Sequence, residues 1–245
     1  MKIDINNKSE FIRSFLSPIG KVCENAVVNV RKDSISSLTC TSDSTLFLNC
    51  KIKQSNNIST DQSLNIPDVN KLINALSCTT QDDIQFDLSN NCMQYLSDNV
   101  KFKLHLLEDG IISIPAVNIN KLKDIKFDTT FNICYNSLQM LVRGSTFASE
   151  VNKIYFNTTS DGKVRGELTD SETQNVNTFG MDLSDSFTGS PMPNPKPLTF
   201  EVIRFILSSK FDQCIIHHSS DLNVFLFDIS TEDCVINYIA SGLRR

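Results

Sequence analysis

Residues 67–107 carry the pattern that decides the fold, and they read PDVNKLINALSCTTQDDIQFDLSNNCMQYLSDNVKFKLHLL. The segment 68–77 places its apolar residues on one helical stripe, which predicts an amphipathic helix. Three runs then alternate between apolar and polar residues, which predicts strands near 83–88, 92–97 and 100–107. Consecutive short strands favour an antiparallel sheet, so this segment predicts one helix followed by three antiparallel strands.

A second copy of this pattern begins at Pro197. It predicts a helix at 199–208 and strands near 212–218, 222–229 and 233–239. A shift of 131 residues superposes the apolar positions of the two copies, pairing Val69 with Phe200, Leu72 with Ile203, Leu76 with Leu207, and Ile84 with Ile215. A repeat of half the chain length indicates two similar domains and not a solenoid of small units.

The segments that precede the two copies also correspond. Residues 8–17 and 136–145 each predict a short helix, and a shift of 126 residues superposes Ile12, Phe15 and Leu16 on Leu138, Leu141 and Val142. We expect Pro18 and Gly20 to end the first helix. Further strands are predicted at 22–31, 46–53, 153–159, 163–169 and 175–183, with a hairpin turn at Asp161-Gly162.

Three segments show neither the helical period nor the alternation of a strand. Residues 54–63 predict a polar loop, and the prolines of 189–197 predict a stiff surface loop, because proline fits neither a helix interior nor a central strand. Residues 108–127 predict an extended connector between the halves. The sequence therefore predicts an α+β fold with an N-terminal domain at 1–107 and a C-terminal domain at 128–245, each with two helices packed on antiparallel sheet.

The composition is that of an ordinary soluble protein of 245 residues, with 40% apolar and 21% charged residues. No run approaches the roughly 18 apolar residues of a membrane span, and the N-terminus predicts no export signal. The net charge of −5 argues against a general nucleic-acid binder unless the basic residues share one surface. The eight cysteines form no CxxC pair, which favours free thiols in a reducing cytosol over zinc or disulfides.

The sequence predicts no catalytic site, cofactor or metal site. The three histidines, His105, His217 and His218, lie in strand patterns, where an adjacent pair points to opposite faces of a sheet. No serine or cysteine has the context of a strained nucleophile turn, and no glycine-rich phosphate loop occurs among the eight glycines. We therefore expect no enzymatic activity.

The chain resembles the DNA sliding clamps, the ring-forming processivity factors of DNA polymerases. Three local matches support the resemblance: SLQMLVR at 137–143, PDVNKLINAL at 67–76 and YIAS at 238–241. The length, the duplication, the position of the connector and the order of elements are most similar to the trimeric clamps of T4-like bacteriophages and to proliferating cell nuclear antigen. The polar loop at 54–63 and the basic tail GLRR at 242–245 depart from the nuclear clamps.

The resemblance implies a homotrimeric ring of six domains whose twelve helices line a central hole around double-stranded DNA. It implies binding without sequence preference, a replicative DNA polymerase and a clamp loader as partners, and no cofactor. It also implies action at replication sites, in the cytoplasm or in a host cytoplasm or nucleus. No membrane association is expected.

The helices can be tested for this role with the helical period alone. At about 100° per residue, each predicted helix places one basic residue on the face opposite its apolar stripe or close to that face. Two further lysines follow the ends of helices. Phe205 also falls on an outward face, which the helical period does not explain. The candidate DNA-binding residues are Arg13, Lys21, Lys71, Arg143, Arg204 and Lys210.

Two further surfaces follow from the resemblance. We expect strands 100–107 and 175–183 to pair between subunits, with interface residues Phe102, Leu104, Leu106, Phe179 and Met181. We also expect an apolar pocket for a partner peptide beside the connector, formed by Leu46, Ile112, Ile114, Leu222, Tyr238 and Ala240. The isoleucines of the connector have a second interpretation, because they would equally pin the connector to its own domain.

Two alternatives to a ring clamp are compatible with the sequence. A processivity factor of the same fold could hold DNA on a basic face without closing a ring, although such a factor would carry a stronger basic patch than this acidic chain offers. A two-domain structural or protein-interaction module without a DNA role is the other. The mass of the protein in solution distinguishes a trimer from both.

Overall fold

The computed structural model describes residues 2–54, 60–89, 91–117, 122, 124–170, 173, 175–231 and 233–243. The chain forms two compact units: unit 1 contains Met1–Val117 and Ser230–Ile236, and unit 2 contains Asn118–Ile229 and Asn237–Arg245. Parts of the predicted polar loop (55–59), of the connector (118–121 and 123) and of the basic tail (244–245) lie outside the described residues.

Unit 1 packs short helices against two antiparallel sheets. Its strands are β1 (Lys2–Ile5), β2 (Ala26–Arg31), β3 (Ser34–Cys40), β4 (Leu46–Lys53), β5 (Gln62–Ile66), β6 (Ile84–Ser89), β7 (Cys92–Leu96) and β8 (Lys101–His105). Its helices are α1 (Lys8–Glu10), which continues through a π-helical stretch (Phe11–Leu16) into α2 (Ser17–Val22), and α3 (Val69–Ser77). One sheet has the order β1-β6-β7-β8, and β4-β3-β2-β5 are neighbours in the other.

Unit 2 repeats this architecture. Its strands are β9 (Thr129–Cys134), β10 (Lys153–Thr158), β11 (Val164–Leu168), β12 (Phe179–Ser184), β13 (Thr188–Gly189), β14 (Lys196–Thr199), β15 (Gln213–Ser219), β16 (Val224–Ser230) and β17 (Cys234–Ser241), whose first residues belong to unit 1. Its helices are α4 (Tyr135–Gly144) and α5 (Glu201–Ile206). One sheet has the order β12-β11-β10-β14, and β13-β9-β15-β16 lie side by side in the other.

The predicted α+β fold and its duplication are confirmed. In both halves a helix is followed by three consecutive strands, α3 by β6 to β8 and α5 by β15 to β17. The apolar stripe of α3 is buried through Val69, Leu72 and Leu76, so packing of that stripe stabilises the helix. Asp68 begins α3, because its side chain accepts a hydrogen bond of 2.9 Å from the backbone N–H of Lys71.

The first helix does not end at Pro18, as the sequence predicts, but continues to Val22. The π-helical stretch explains the difference. The backbone N–H of Ser17 bonds the carbonyl of Ile12, five residues earlier, so the widened turn passes the proline without a sharp break. The same continuation displaces the start of the next strand from the predicted residue 22 to Ala26.

Two thiols bind the carbonyl group that the proline leaves free. Pro18 has no N–H to donate to Ser14, four residues earlier. The Sγ atoms of Cys50 and Cys234 lie 3.3 and 3.6 Å from the Ser14 carbonyl oxygen and donate to it. Burial raises the pKa of the Cys50 thiol well above its usual value, so this thiol keeps the proton that it donates.

The predicted loop at 189–197 contains the start of β14, which includes Pro197. β14 ends the order of its sheet and pairs with β10. An edge strand tolerates proline because one side of its backbone needs no partner within the sheet. The segment therefore forms no central strand, as the sequence predicts, but the predicted loop ends one residue before Pro197, where the edge strand β14 begins.

His218, on β15, is a buried histidine whose ring nitrogens form no hydrogen bond with the described residues. Its side chain is fully buried, its ring centre lies 4.6 Å from that of Phe225, and neither ring nitrogen has a hydrogen-bond partner among the described residues. Burial first, and then the nearby charge of Lys196, lower the pKa of this imidazole from 6.5 to about 4, against the opposing effect of Asp128. The folded protein therefore keeps His218 neutral where an unfolded chain would protonate it.

Folding stability should consequently fall as the pH is lowered from 6.5 to about 4, the interval between the unfolded and the folded pKa of His218. Above that interval the imidazole is neutral in both states, so this residue adds no pH dependence. Within it the unfolded chain binds a proton that the folded chain excludes, which costs about 3 kcal/mol in total. Urea unfolding of wild type and His218→Phe should differ in pH dependence by this amount. His105→Phe is the control, because His105 is exposed. If the free energy of unfolding had the same slope against pH in wild type and in His218→Phe, the prediction would be contradicted.

Candidate nucleic-acid and partner surfaces

The helices of unit 1 expose three of the predicted DNA-binding residues. Arg13 lies on the π-helical stretch, Lys21 on α2 and Lys71 on α3, and all three side chains reach solvent. The helices α2 and α3 lie against each other, since the Asn70 side-chain amide donates to the carbonyl of Gly20 at 3.2 Å. The three cations therefore lie on the helices of unit 1, which form its helical layer.

Unit 2 exposes the other three. Arg143 lies on α4, Arg204 on α5 and Lys210 follows α5, all with exposed side chains. Leu138 and Leu141 of α4 are fully buried, so the outward face of this helix carries Met140 and Arg143. On α5, Val202, Ile203 and Ile206 are buried. Phe205, which the helical period places outward, is half-buried.

Three of these cations are paired with a carboxylate one turn earlier on their own helix. Arg13 pairs with Glu10, Lys71 Nζ lies 3.1 Å from an oxygen of Asp68, and Arg204 lies 3.1 Å from Glu201. The Arg204 guanidinium also lies 5.2 Å from the centre of the Phe200 ring.

Arg143 differs from these three cations. It has no ion-pair partner among the described residues, and α4 contains no acidic residue. The pKa of Asp68 is lowered, first by the backbone N–H of Lys71 and then by its ammonium group. Asp68 is therefore ionised at neutral pH and opposes the charge of Lys71.

Both strands predicted at the subunit interface end a four-stranded sheet. β8 is the last strand beside β7, and β12 is the last strand beside β11. The apolar residues Phe102, Leu104 and Leu106 in and after β8, and Phe179 and Met181 in β12, are only half-buried. Each unit therefore presents an open backbone edge flanked by incompletely covered apolar side chains, which is how a strand invites another strand.

An aromatic residue that the sequence interpretation missed lies near the β12 edge. Phe147 is 62% exposed, and its backbone N–H donates to the carbonyl of Gly144 at 3.0 Å. Gly144 in turn lies against the Phe179 ring, since a Cβ atom at position 144 would come within 2.2 Å of it. The only sequence signal was a lone phenylalanine in the polar stretch GSTFASE, residues 144–150.

The connector lines one side of a small cavity in unit 1, whose walls are a mixture of polar and apolar groups. Ile112 and Ile114 line it from one side, and the ends of β2 and β3 line it from the other, including Val27 and Leu38. Its volume is about 60 Å³, enough for the tip of a side chain but not for a peptide. Ile114 is 57% exposed and Ile111 is 63% exposed, so the apolar surface of the connector extends beyond the cavity.

Three residues of the predicted pocket belong to the core. Leu46, Tyr238 and Ala240 are fully buried, and the Tyr238 hydroxyl lies 2.8 Å from the Ser209 hydroxyl. Their side chains offer no exposed area on which a peptide could lie, so the predicted pocket reduces to its exposed members. Leu222, at the turn between β15 and β16, is one of these, with 57% of its side chain exposed.

No metal-binding group of three or more histidine, cysteine or acidic side chains occurs within the described ranges. The His217 ring nitrogen Nδ1 lies 3.0 Å from the Thr130 hydroxyl, and burial lowers the pKa of this imidazole. The adjacent His218 points into the core on the other face of the strand. None of the helices in the described part of the chain is long and apolar enough to cross a membrane.

Comparison with known proteins identifies the fold. No family model matches the chain, and no curated protein matches its sequence. Many solved structures match it, and three of them do so over 99% of its length. They are PCNA from A. fulgidus bound to the C-terminal region of FEN-1 (TM-score 0.78, 11% identity, 99% of that chain), PCNA from Thermococcus kodakaraensis (0.75, 15%, 99%) and PCNA from Entamoeba histolytica (0.78, 12%, 98%). The chain has the fold of the PCNA sliding clamps.

Proposed function

We propose that this chain is a DNA sliding clamp, a processivity factor that encircles duplex DNA and tethers a replicative polymerase. The observation that carries the proposal is the match to PCNA over nearly the full length of both chains. The sequence identities of 11–15% establish the fold alone, so the function rests on surfaces that the chain itself presents. These are two open strand edges, a set of outward cations and an apolar connector.

The proposed ring forms when β8 of one copy pairs with β12 of the next. A contact between unlike edges is head-to-tail, and it closes into a ring if the rotation between copies allows it. Half-buried Leu104 and Met181 would complete their burial across this contact, and Phe147 would add an aromatic side chain beside the β12 edge. Three copies give the homotrimer.

The proposed DNA surface is the helical layer of each unit. The three cations of each unit are spread over its helices and the segments that follow them, which suits contact with phosphates at several positions along a duplex. Phosphate contacts carry no base information, so binding would be independent of sequence. It would also weaken as salt is raised, because phosphate contacts release counterions.

The proposed partner surface is the connector. One of the similar structures, the PCNA from A. fulgidus, is bound to the C-terminal region of FEN-1, which supports the proposal that this chain binds a partner peptide. Here Ile112 and Ile114 supply apolar surface in a segment without regular structure, where exposed isoleucines need a reason. A polymerase peptide is the proposed ligand, and a clamp loader would be needed to place the ring on DNA. The protein would act at replication sites as a scaffold without catalytic activity.

The mass of the purified protein in solution tests the ring. A trimer has three times the 27.5 kDa of the chain. Light scattering should give this mass, and the protein should remain on closed circular duplex DNA longer than on linear DNA of the same length after loading. A monomer or dimer that binds DNA would indicate a processivity factor without a ring. A protein that does not bind DNA would indicate an interaction module.

Ile114→Glu should abolish binding of a peptide from the C-terminus of the cognate polymerase while leaving the trimer intact. Ile114 is already 57% exposed, so glutamate is tolerated in the free protein but would be buried unpaired beneath a bound peptide. We expect at least about a tenfold loss of affinity by fluorescence anisotropy. Ile111→Glu is the matched control, since Ile111 is equally exposed but does not line the cavity. Equal affinities for both variants and wild type would place partner binding elsewhere.

A further inference from the structure

The paired carboxylates on the helices suggest a role that the proposed function does not require. A clamp needs cations on its inner helices, but it does not need acids beside them. Here Glu10, Asp68 and Glu201 each precede a DNA-binding cation by three residues and pair with it. The arrangement recurs on three helices in two units, so it is a repeated feature of the outward surface.

We propose that Glu10, Asp68 and Glu201 set how tightly the helical layer holds DNA, by competing with phosphates for Arg13, Lys71 and Arg204. This inference rests on the proposed clamp function. In the free protein each carboxylate partly cancels the field of its cation and draws the side chain back along the helix. When a phosphate approaches, the cation must leave its intrahelical partner, and the carboxylate then repels the phosphate. Each contact is therefore weakened and short-lived, which favours movement along the duplex.

A purely structural role for these pairs is the alternative. Acidic residues near a helix start stabilise the helix, and exposed pairs at this spacing contribute about 0.2–0.5 kcal/mol. Asp68 has such a role in addition, since it caps α3. A structural role alone would change unfolding but not the affinity for DNA or its salt dependence. The test therefore measures DNA binding and uses substitutions that keep the helix contacts.

The test variant is Glu10→Gln with Asp68→Asn and Glu201→Gln. Asparagine caps a helix as well as aspartate does, and glutamine can still accept the hydrogen bond that the Ser14 hydroxyl donates to Glu10. The matched control is Asp87→Asn with Asp161→Asn and Glu167→Gln, three exposed acids on strands and a turn. Both variants gain the same net charge, so a difference between them reports the local pairing and not the overall field.

Binding is measured with the purified full chain and a fluorescein-labelled linear duplex of random sequence, by anisotropy across a range of NaCl concentrations. We expect the test variant to bind about fivefold more tightly than the control variant at low salt. We also expect its affinity to fall more steeply with salt, because three cations become fully available to phosphates. Equal affinity and equal salt dependence in the two variants would overturn the inference.

A third variant separates this inference from the function on which it rests. Arg13→Gln with Lys71→Gln and Arg204→Gln should weaken binding and flatten the salt dependence. If this variant binds DNA as wild type does, the proposed DNA surface is itself wrong, and the inference fails with it. If it binds more weakly while the carboxylate variant matches its control, the DNA surface stands and the carboxylates have no role in binding. Should the carboxylate triple variant fold poorly in thermal unfolding, Glu201→Gln alone against Glu167→Gln gives the same comparison.

Discussion

Leu104→Lys should convert the proposed trimer into soluble monomers of 27.5 kDa. Leu104 lies in β8, whose outer edge pairs with no strand of its own sheet, and its side chain is only half-buried in the single chain. A lysine is therefore tolerated in the monomer, where its ammonium group reaches water. Across a paired β8–β12 contact the same group would be buried without a partner, which costs several kcal/mol. Met181→Lys should have the same effect from the β12 edge, and sedimentation or light scattering measures both.

A mixture of the two variants distinguishes pairing of unlike edges from pairing of like edges. The Leu104→Lys chain keeps an intact β12 edge, and the Met181→Lys chain keeps an intact β8 edge. If β8 pairs with β12, the mixture should form a dimer with one good contact and should stop there. Lys103→Gln, an exposed position on β8, should remain trimeric and controls for handling of this strand. Full trimers from either lysine variant alone would place the interface elsewhere.

Reversal of three cations, Arg13→Glu with Lys71→Glu and Arg143→Glu, should nearly eliminate retention on DNA. Each phosphate contact contributes about 0.9 to the slope of log affinity against log salt, so loss of three per subunit should cost about 100-fold at low salt. Single reversals should have modest effects because the contacts act together. Arg143→Glu should be the strongest of the singles, since Arg143 has no carboxylate partner among the described residues.

The matched control for this reversal is Lys2→Glu with Lys32→Glu and Lys51→Glu. These three lysines are exposed but lie on strands and a turn, so the variant carries the same change in net charge away from the helices. Dissociation from a nicked circular duplex after loading, followed at several salt concentrations, measures the effect. A helix variant that is retained as long as the control variant would mean that the helices do not face the DNA.

The helices and the strands of the repeated pattern were predictable because each has one apolar, buried face and one polar, exposed face. Val69, Leu72 and Leu76 are buried as the period of 3.6 requires, and Ile84 and Phe86 alternate with exposed neighbours. β3 and β9 were missed because their inward positions include hydroxyl residues, which a hydrophobic pattern does not register. Ser37 is buried because its hydroxyl donates to the Val27 carbonyl at 2.9 Å, and Thr129 is buried with a bond of 2.7 Å to the Ser190 carbonyl.

The candidate surfaces were predictable to different degrees. The outward cations follow from helical geometry, which needs no tertiary information once the buried stripe is known. The pocket residues could not be predicted in this way, because an apolar residue on a strand looks the same in sequence whether it faces the core or a groove. Leu46 and Tyr238 are in the core, whereas Ile114 and Leu222 are exposed. Phe147 was missed because a single aromatic residue outside a periodic segment carries no pattern.

The β8 and β12 edges also determine how the chain behaves before it finds its partners. A newly synthesised monomer exposes both β8 and β12, and head-to-tail pairing that fails to close would continue into open-ended chains. The β8 edge carries Lys101 and Lys103, which are exposed charges of the kind that discourage uncontrolled strand association. The β12 edge has the uncharged residues Phe179, Gly180 and Met181 in series, and the exposed Asp182 that follows them is paired with Lys163 and Arg165. Overproduction at high concentration therefore puts β12 at the greater risk of aggregation, and rapid closure of the proposed ring would protect the nascent protein.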